Sequence, residues 1–287
     1  LWGFFWKNSF LEIEYFGRFV FIFLFLISFF SCFDNFKQYS NIVKSSLIVI
    51  LIYMSTDLML LAGYQEYLLF FAFYCCSRIF VIFEKSILKK IDYLVYLVLF
   101  GFATNIFLWT KQEGFFHFII MSIIFLMHSK IKFGQKFIFA ILFATLFILF
   151  FFIKNYFFGG FHFHEDIIKP SIFENLQLSV LTEKILLITK YVLISVIKNP
   201  IWLVIVFSIF LLFKTNKDYF KKNFFVITFL FFELGFVYAT FIFQSVDLKW
   251  LLPLTLSRVL FPLCGFLIFT IYDCLNCFRK LNHNISY

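Results

Sequence analysis

Chemistry in this chain has few residues to rest on, and they fall in small groups. Glu233 sits in the middle of an apolar stretch, 223–243, where an ionisable group is costly and is read as functional by default. It either pairs with a basic or amide group on a neighbouring helix or marks a proton or ion path. His162, His164, Glu165 and Asp166 form the densest polar cluster. Their spacing could hold a divalent cation, but no second ligand set accompanies them, so no metal is assigned. A solvated loop that touches a ligand is the simpler reading. Three polar motifs then interrupt the apolar background. They are Ala62-Gly63-Tyr64-Gln65-Glu66-Tyr67, Trp109-Thr110-Lys111-Gln112-Glu113-Gly114, and Asp247-Leu248-Lys249-Trp250 followed by Thr255-Leu256-Ser257-Arg258. Arg258 and Lys111 are basic residues of these motifs and the candidates for holding an anion. Glu66, Glu113, Asp247 and Trp250 complete the candidates for substrate binding. Each motif also has a plain structural use: glycine in a turn, tryptophan in an interfacial belt, Arg258 snorkelling to headgroups, and Lys111 paired with Glu113.

The elements that must position these groups are dictated by composition. The chain has 287 residues, 63% of them apolar and 25% aromatic. Only 14% are charged, against about 25% in soluble domains. So much apolar surface cannot be hidden in a globule of this size, which excludes a water-soluble enzyme, a disordered chain and a disulfide scaffold. With 53 phenylalanines, aromatic stripes mean little more than "apolar" here. The net charge of +9 does not signal nucleic acid, since the basic residues are scattered between apolar runs. Cys32, Cys75, Cys76 and Cys264 are small core residues, and the Cys274-x-x-Cys277 pair has no partner pair with which to build a metal site.

About 20 apolar residues cross a bilayer as a helix. Nine runs meet or approach that length: 17–33, 46–62, 66–83, 92–109, 115–128, 137–153, 200–213, 223–243 and 258–275. None alternates polar with apolar as a membrane strand would, so the expected architecture is an all-α polytopic membrane protein forming a single transmembrane domain. Loops after the odd-numbered spans carry fourteen Lys and Arg, against five in the short segments on the other side, Lys7, Arg18, Lys111, Lys249 and Arg258; five further Lys in 154–199 soften the contrast without reversing it. The positive-inside rule places the first set, and the C-terminus, in the cytoplasm. The segment 154–199 is then an outer loop. Leu181, Ile185, Ile188, Val192 and Val196 in its second half repeat at helical spacing, which predicts an interfacial helix. A tenth span is the rival. Residue 1 is Leu and no signal-peptide pattern follows it, so the expectation is a fragment whose N-terminus lies upstream.

Taken as a series, the three motifs resemble the GT-C fold of integral-membrane glycosyltransferases, closest to bacterial protein-mannosyltransferase-like and lipopolysaccharide-sugar transferases. The matching features are Gly-Tyr-x-acidic at the start of a span, Thr-Lys-x-Glu-Gly closing a hairpin, and Asp-Leu-x-Trp with Thr-Leu-Ser-Arg before the last span. The resemblance runs from about residue 15 to 275, with Glu66 standing where relatives tend to have Asp. It implies transfer of a sugar from a polyprenyl-phosphate-linked donor to a lipid, glycan or protein acceptor at the outer face of a bacterial inner membrane. It also implies a carboxylate in the first outer loop, acting as general base or as ligand for a divalent cation. That loop lies upstream of the first span seen here, and Glu12 and Glu14 do not match its motif. The alternative is a multi-span transporter or lipid flippase. Such proteins often show internal repeats with broken helices, and no repeat is evident.

Overall fold

The computed structural model describes residues 23–24, 26–28, 65–85, 90–110, 113–128, 131–158, 178–215, 218–244, 247–271 and 273–274. Among them there is no strand. The helices are α1 (Glu66–Lys85), α2 (Lys90–Thr110), α3 (Gly114–Met127), α4 (Phe133–Phe158), α5 (Leu178–Lys198), α6 (Pro200–Thr215), α7 (Tyr219–Lys222), α8 (Phe224–Ile242) and α9 (Leu248–Leu267). Five stretches are long and apolar enough to cross a membrane: Glu66–Phe83, Tyr93–Thr110, Phe133–Phe157, Phe224–Ile242 and Leu248–Leu267. A sixth is added if α5 and α6 count as one bent span. The chain is a multi-pass membrane protein. Of the nine expected spans, 17–33 and 46–62 lie outside the described residues apart from the short helical pieces at 23–24 and 26–28.

Helix is the only economical solution for these sequences, because backbone groups in lipid must bond internally. The buried hydroxyls follow the same rule. Thr104, Ser122 and Thr228 each donate to the carbonyl four residues earlier, Phe100, Phe118 and Phe224.

Two boundaries differ from expectation. The last span was placed at 258–275, yet α9 begins at Leu248. Asp247 makes this possible by capping the helix: its Oδ1 accepts from the Lys249 N–H at 2.9 Å. Pro253 is accommodated within the helix, at the loss of one backbone bond. Thr255–Arg258 is therefore helix, and Arg258 lies three turns, about 16 Å, along the axis from Asp247 instead of at the mouth. The second difference is α3, which has 14 residues, about 21 Å of rise and short of the ~30 Å hydrocarbon core.

Two units are defined by their contacts: Leu1–Ser77 with Asn199–Lys217 and Phe261–Tyr287, and Arg78–Lys198 with Asp218–Leu260. In the first, Phe70 stacks on Phe261 with centroids 5.2 Å apart, and Tyr67 meets the same ring edge-on. A Cβ on Gly265 would overlap the carbonyl oxygen of Phe70, so glycine is what lets α9 approach α1 this closely. α6 starts where it does because Pro200 suits the first helical position and Asn199 Oδ1 accepts from the Ile201 N–H at 3.0 Å.

The second unit is built on phenylalanine. Phe125 packs against Phe100 and Phe139, with centroids 4.8 and 4.1 Å apart, and Phe80 stacks on Phe225 at 5.3 Å. Such ring pairs contribute about 0.5–1.5 kcal/mol each beyond their burial. α4 is different. Only 11% of its span is buried, and Ile141, Ile148 and Phe152 point outward. A helix apolar all round and this exposed has lipid as its solvent.

Candidate functional site

In the second unit, α2 and α3 form a hairpin whose closing turn carries the Thr110–Gly114 motif. Gly114 opens α3 against the last turns of α2, and a Cβ there would overlap the carbonyl oxygen of Phe107. Glu113 precedes it in helical conformation, exposed, and its carboxylate makes no capping bond to α3. Lys111 lies outside the described residues.

Ring contacts fix the register of the neighbours. Moving up α3 from Phe125 to Phe118 to Phe115, the partners on α4 are Phe139, Phe143 and Phe147, so α4 runs antiparallel to α3. α8 does the same, with Phe225 near His128 and Phe236 near Phe116. At the hairpin tip Trp109 meets Phe150. From there α4 continues eight residues to Phe158 and α8 continues six from Phe236 to Ile242, about 12 and 9 Å further. The start of α3 is thus recessed below the ends of both helices.

One turn into α3 lies an ion-pair geometry within the bundle. His117 Nδ1 lies 2.8 Å from Glu233 Oε2, with both side chains buried. Glu233 is the central residue of α8, and His117 is one turn into α3. Phe107 and Phe236 flank the imidazole at 5.9 and 5.2 Å. Glu233 Oε1 has no hydrogen-bond partner among the described residues. An unshared buried charge costs far more than a paired one, so the pair is what allows a carboxyl at this depth.

α8 is held at its far end by α5. Lys184 Nζ donates to the carbonyl of Ile242 at 2.8 Å and to that of Gln244 at 3.4 Å, serving carbonyls that the end of a helix leaves without partners. Thr189 Oγ1 and Tyr238 Oη share a second hydrogen bond of 2.8 Å. Lys184, in the segment expected to form an interfacial helix, is turned onto α8. Ile188, from the expected apolar stripe, is fully buried, whereas Ile185 is exposed.

The remaining candidates are dispersed. Glu66 is buried in the first turn of α1, where an acidic residue complements the helix dipole. Asp247 is occupied in capping α9, and Trp250 is 63% exposed one turn later, as an interfacial tryptophan would be. Arg258 is half-buried within α9. His162, His164, Glu165 and Asp166 lie outside the described residues, and among the described ones no three of His, Cys, Asp and Glu gather as a metal site would require. Sequence reasoning singled out Glu233 but missed His117. The signal was present: His117 is an ionisable residue inside an apolar run, the same criterion that selected Glu233.

No protein-family model matches the chain, and no curated protein or solved structure matches it at a significant level.

Proposed function

We propose that this chain belongs to a membrane glycosyltransferase of GT-C type, moving a sugar from a polyprenyl-phosphate-linked donor to a lipid, glycan or protein acceptor on the outer face of a bacterial inner membrane, with the C-terminus cytoplasmic. The observation that carries the reading is the recessed tip of the α2–α3 hairpin. Transfer between a lipid-linked donor and a polar acceptor needs a wet cleft that opens sideways to lipid. Here an exposed Glu113 forms the floor, and the wall offered by α4 is apolar and lipid-facing. In the reaction an acceptor nucleophile bonds to the anomeric carbon as the bond to phosphate oxygen breaks, and the leaving phosphate keeps the electron pair. Arg258 and Lys111 are the cations assigned to that phosphate, and Glu113, Asp247 and Trp250 are assigned to substrate. Membranes holding the protein should transfer labelled sugar from a polyprenyl-phosphate donor, with Arg258→Ala lowering the rate. No transfer from any such donor would overturn the reading.

The His117–Glu233 pair favours a second reading, a transporter or flippase, since buried ionisable pairs mark ion paths in carriers. In that case solute accumulates in vesicles and Glu233→Gln abolishes the accumulation.

A further inference from the structure

We propose that His117 and Glu233 form a proton-binding site inside the bundle that exchanges its proton with the outer recess through Glu113. This goes beyond the glycosyltransferase reading and does not depend on it.

Three observations meet here. An N···O separation of 2.8 Å requires a proton between Nδ1 and Oε2, so the pair holds a proton already. Glu233 Oε1, buried and without a partner among the described residues, is a second position that can accept a proton without breaking the existing bond. Glu113 is the residue that precedes α3, in helical conformation, and His117 follows it by four positions, about 6 Å along the axis. Glu113 is exposed and its carboxylate is not used in capping. Glu113, His117 and Glu233 thus lie in this order from the start of α3 to the middle of α8.

Other titratable groups on the elements around α8 do not compete for this role. Lys184 is engaged at Ile242 and Gln244, Tyr238 with Thr189, and Asp218 with Lys221 at the opposite end. Glu183, Lys190 and Lys198 are exposed on α5, the phenols of Tyr191 and Tyr219 are further groups, and His128 lies against Phe225 at the opposite end of α8 from Ile242. Each step in the path breaks one O–H or N–H bond and forms another. The net event is uptake or release of one proton at the recess.

The test is infrared spectroscopy of the full chain in lipid nanodiscs, moved between alkaline and acidic buffer and between light and heavy water. The expected result is a carboxyl C=O band that appears on acidification and shifts on deuteration. It should be lost in Glu233→Gln and displaced, not lost, in Glu233→Asp. In Glu113→Gln the band should persist but exchange more slowly. A wild-type protein with no titrating, exchangeable carboxyl band would overturn the proposal, as would a band indifferent to both Glu233 substitutions. An unchanged exchange rate in Glu113→Gln would overturn the path through that residue.

Discussion

Across the α3–α8 contact, His117 Nδ1 and Glu233 Oε2 stand 2.8 Å apart with neither side chain open to solvent. Removing one member leaves the other buried alone, whereas removing both leaves only apolar surface. His117→Leu and Glu233→Leu should therefore each destabilise the protein by about 3–5 kcal/mol, and the double substitution should recover most of that loss. Thermal unfolding in detergent, arranged as a double-mutant cycle, measures the coupling. Additive losses would mean that the two side chains do not depend on each other.

Gly114 is the tightest point of the α2–α3 hairpin. Its neighbour is the Phe107 carbonyl oxygen, a backbone atom that cannot rotate aside. Gly114→Ala should cost about 1–3 kcal/mol through overpacking and push the turn away from α2. A cysteine at position 112 would report that movement as a changed rate of labelling by a membrane-impermeant thiol reagent. Gly134, with open space around it, supplies the control, and Gly134→Ala should leave both stability and labelling near wild type.

Much of this architecture is written in the sequence, for reasons that also explain what is not. Apolar runs in lipid admit only helices, so α1, α2, α4 and α8 lie close to where hydropathy puts them. Hydropathy puts the start of α9 at 258 because the polar Thr255-Leu256-Ser257-Arg258 stretch reads as lying before a span in one dimension. The cap at Asp247 and the close seat of Gly265 on Phe70 are three-dimensional facts that override that appearance. The Thr110–Gly114 motif was legible as a hairpin turn, but its depth was not. The contact of His117 with Glu233, residues more than a hundred positions apart, is likewise encoded by no local pattern. The destination of Lys184 was hidden for the same reason.

Lys184 links α5 to the end of α8 through two carbonyls, at 2.8 and 3.4 Å. Lys184→Met keeps most of the apolar stem and removes the donor. Hydrogen bonds to a charged group are worth about 1.5–3 kcal/mol, so a loss in that range is expected. Adding Thr189→Val, which breaks the bond to Tyr238, should free α5 further. Limited proteolysis in the 178–198 segment should then accelerate, and a cleavage rate equal to wild type in the double variant would rule out this mode of docking.

α4 offers the most direct test of the membrane itself. Ile148 lies near the middle of a 26-residue helix and is 64% exposed, while Phe133, at the first position, is exposed to a still greater degree. If lipid surrounds α4, exposure alone does not predict tolerance; depth does. Ile148→Arg should raise the apparent cost of insertion by about 2.5–3.5 kcal/mol, the range found for a charged residue at a helix centre. At Phe133 an arginine can snorkel to the interface, so Phe133→Arg should insert nearly as well as the parent. The fraction of chains inserted, followed by glycosylation mapping of the flanking loops, separates the two. Equal behaviour at both positions, whether tolerance or failure, would mean that the exposed face of α4 does not meet the hydrocarbon core.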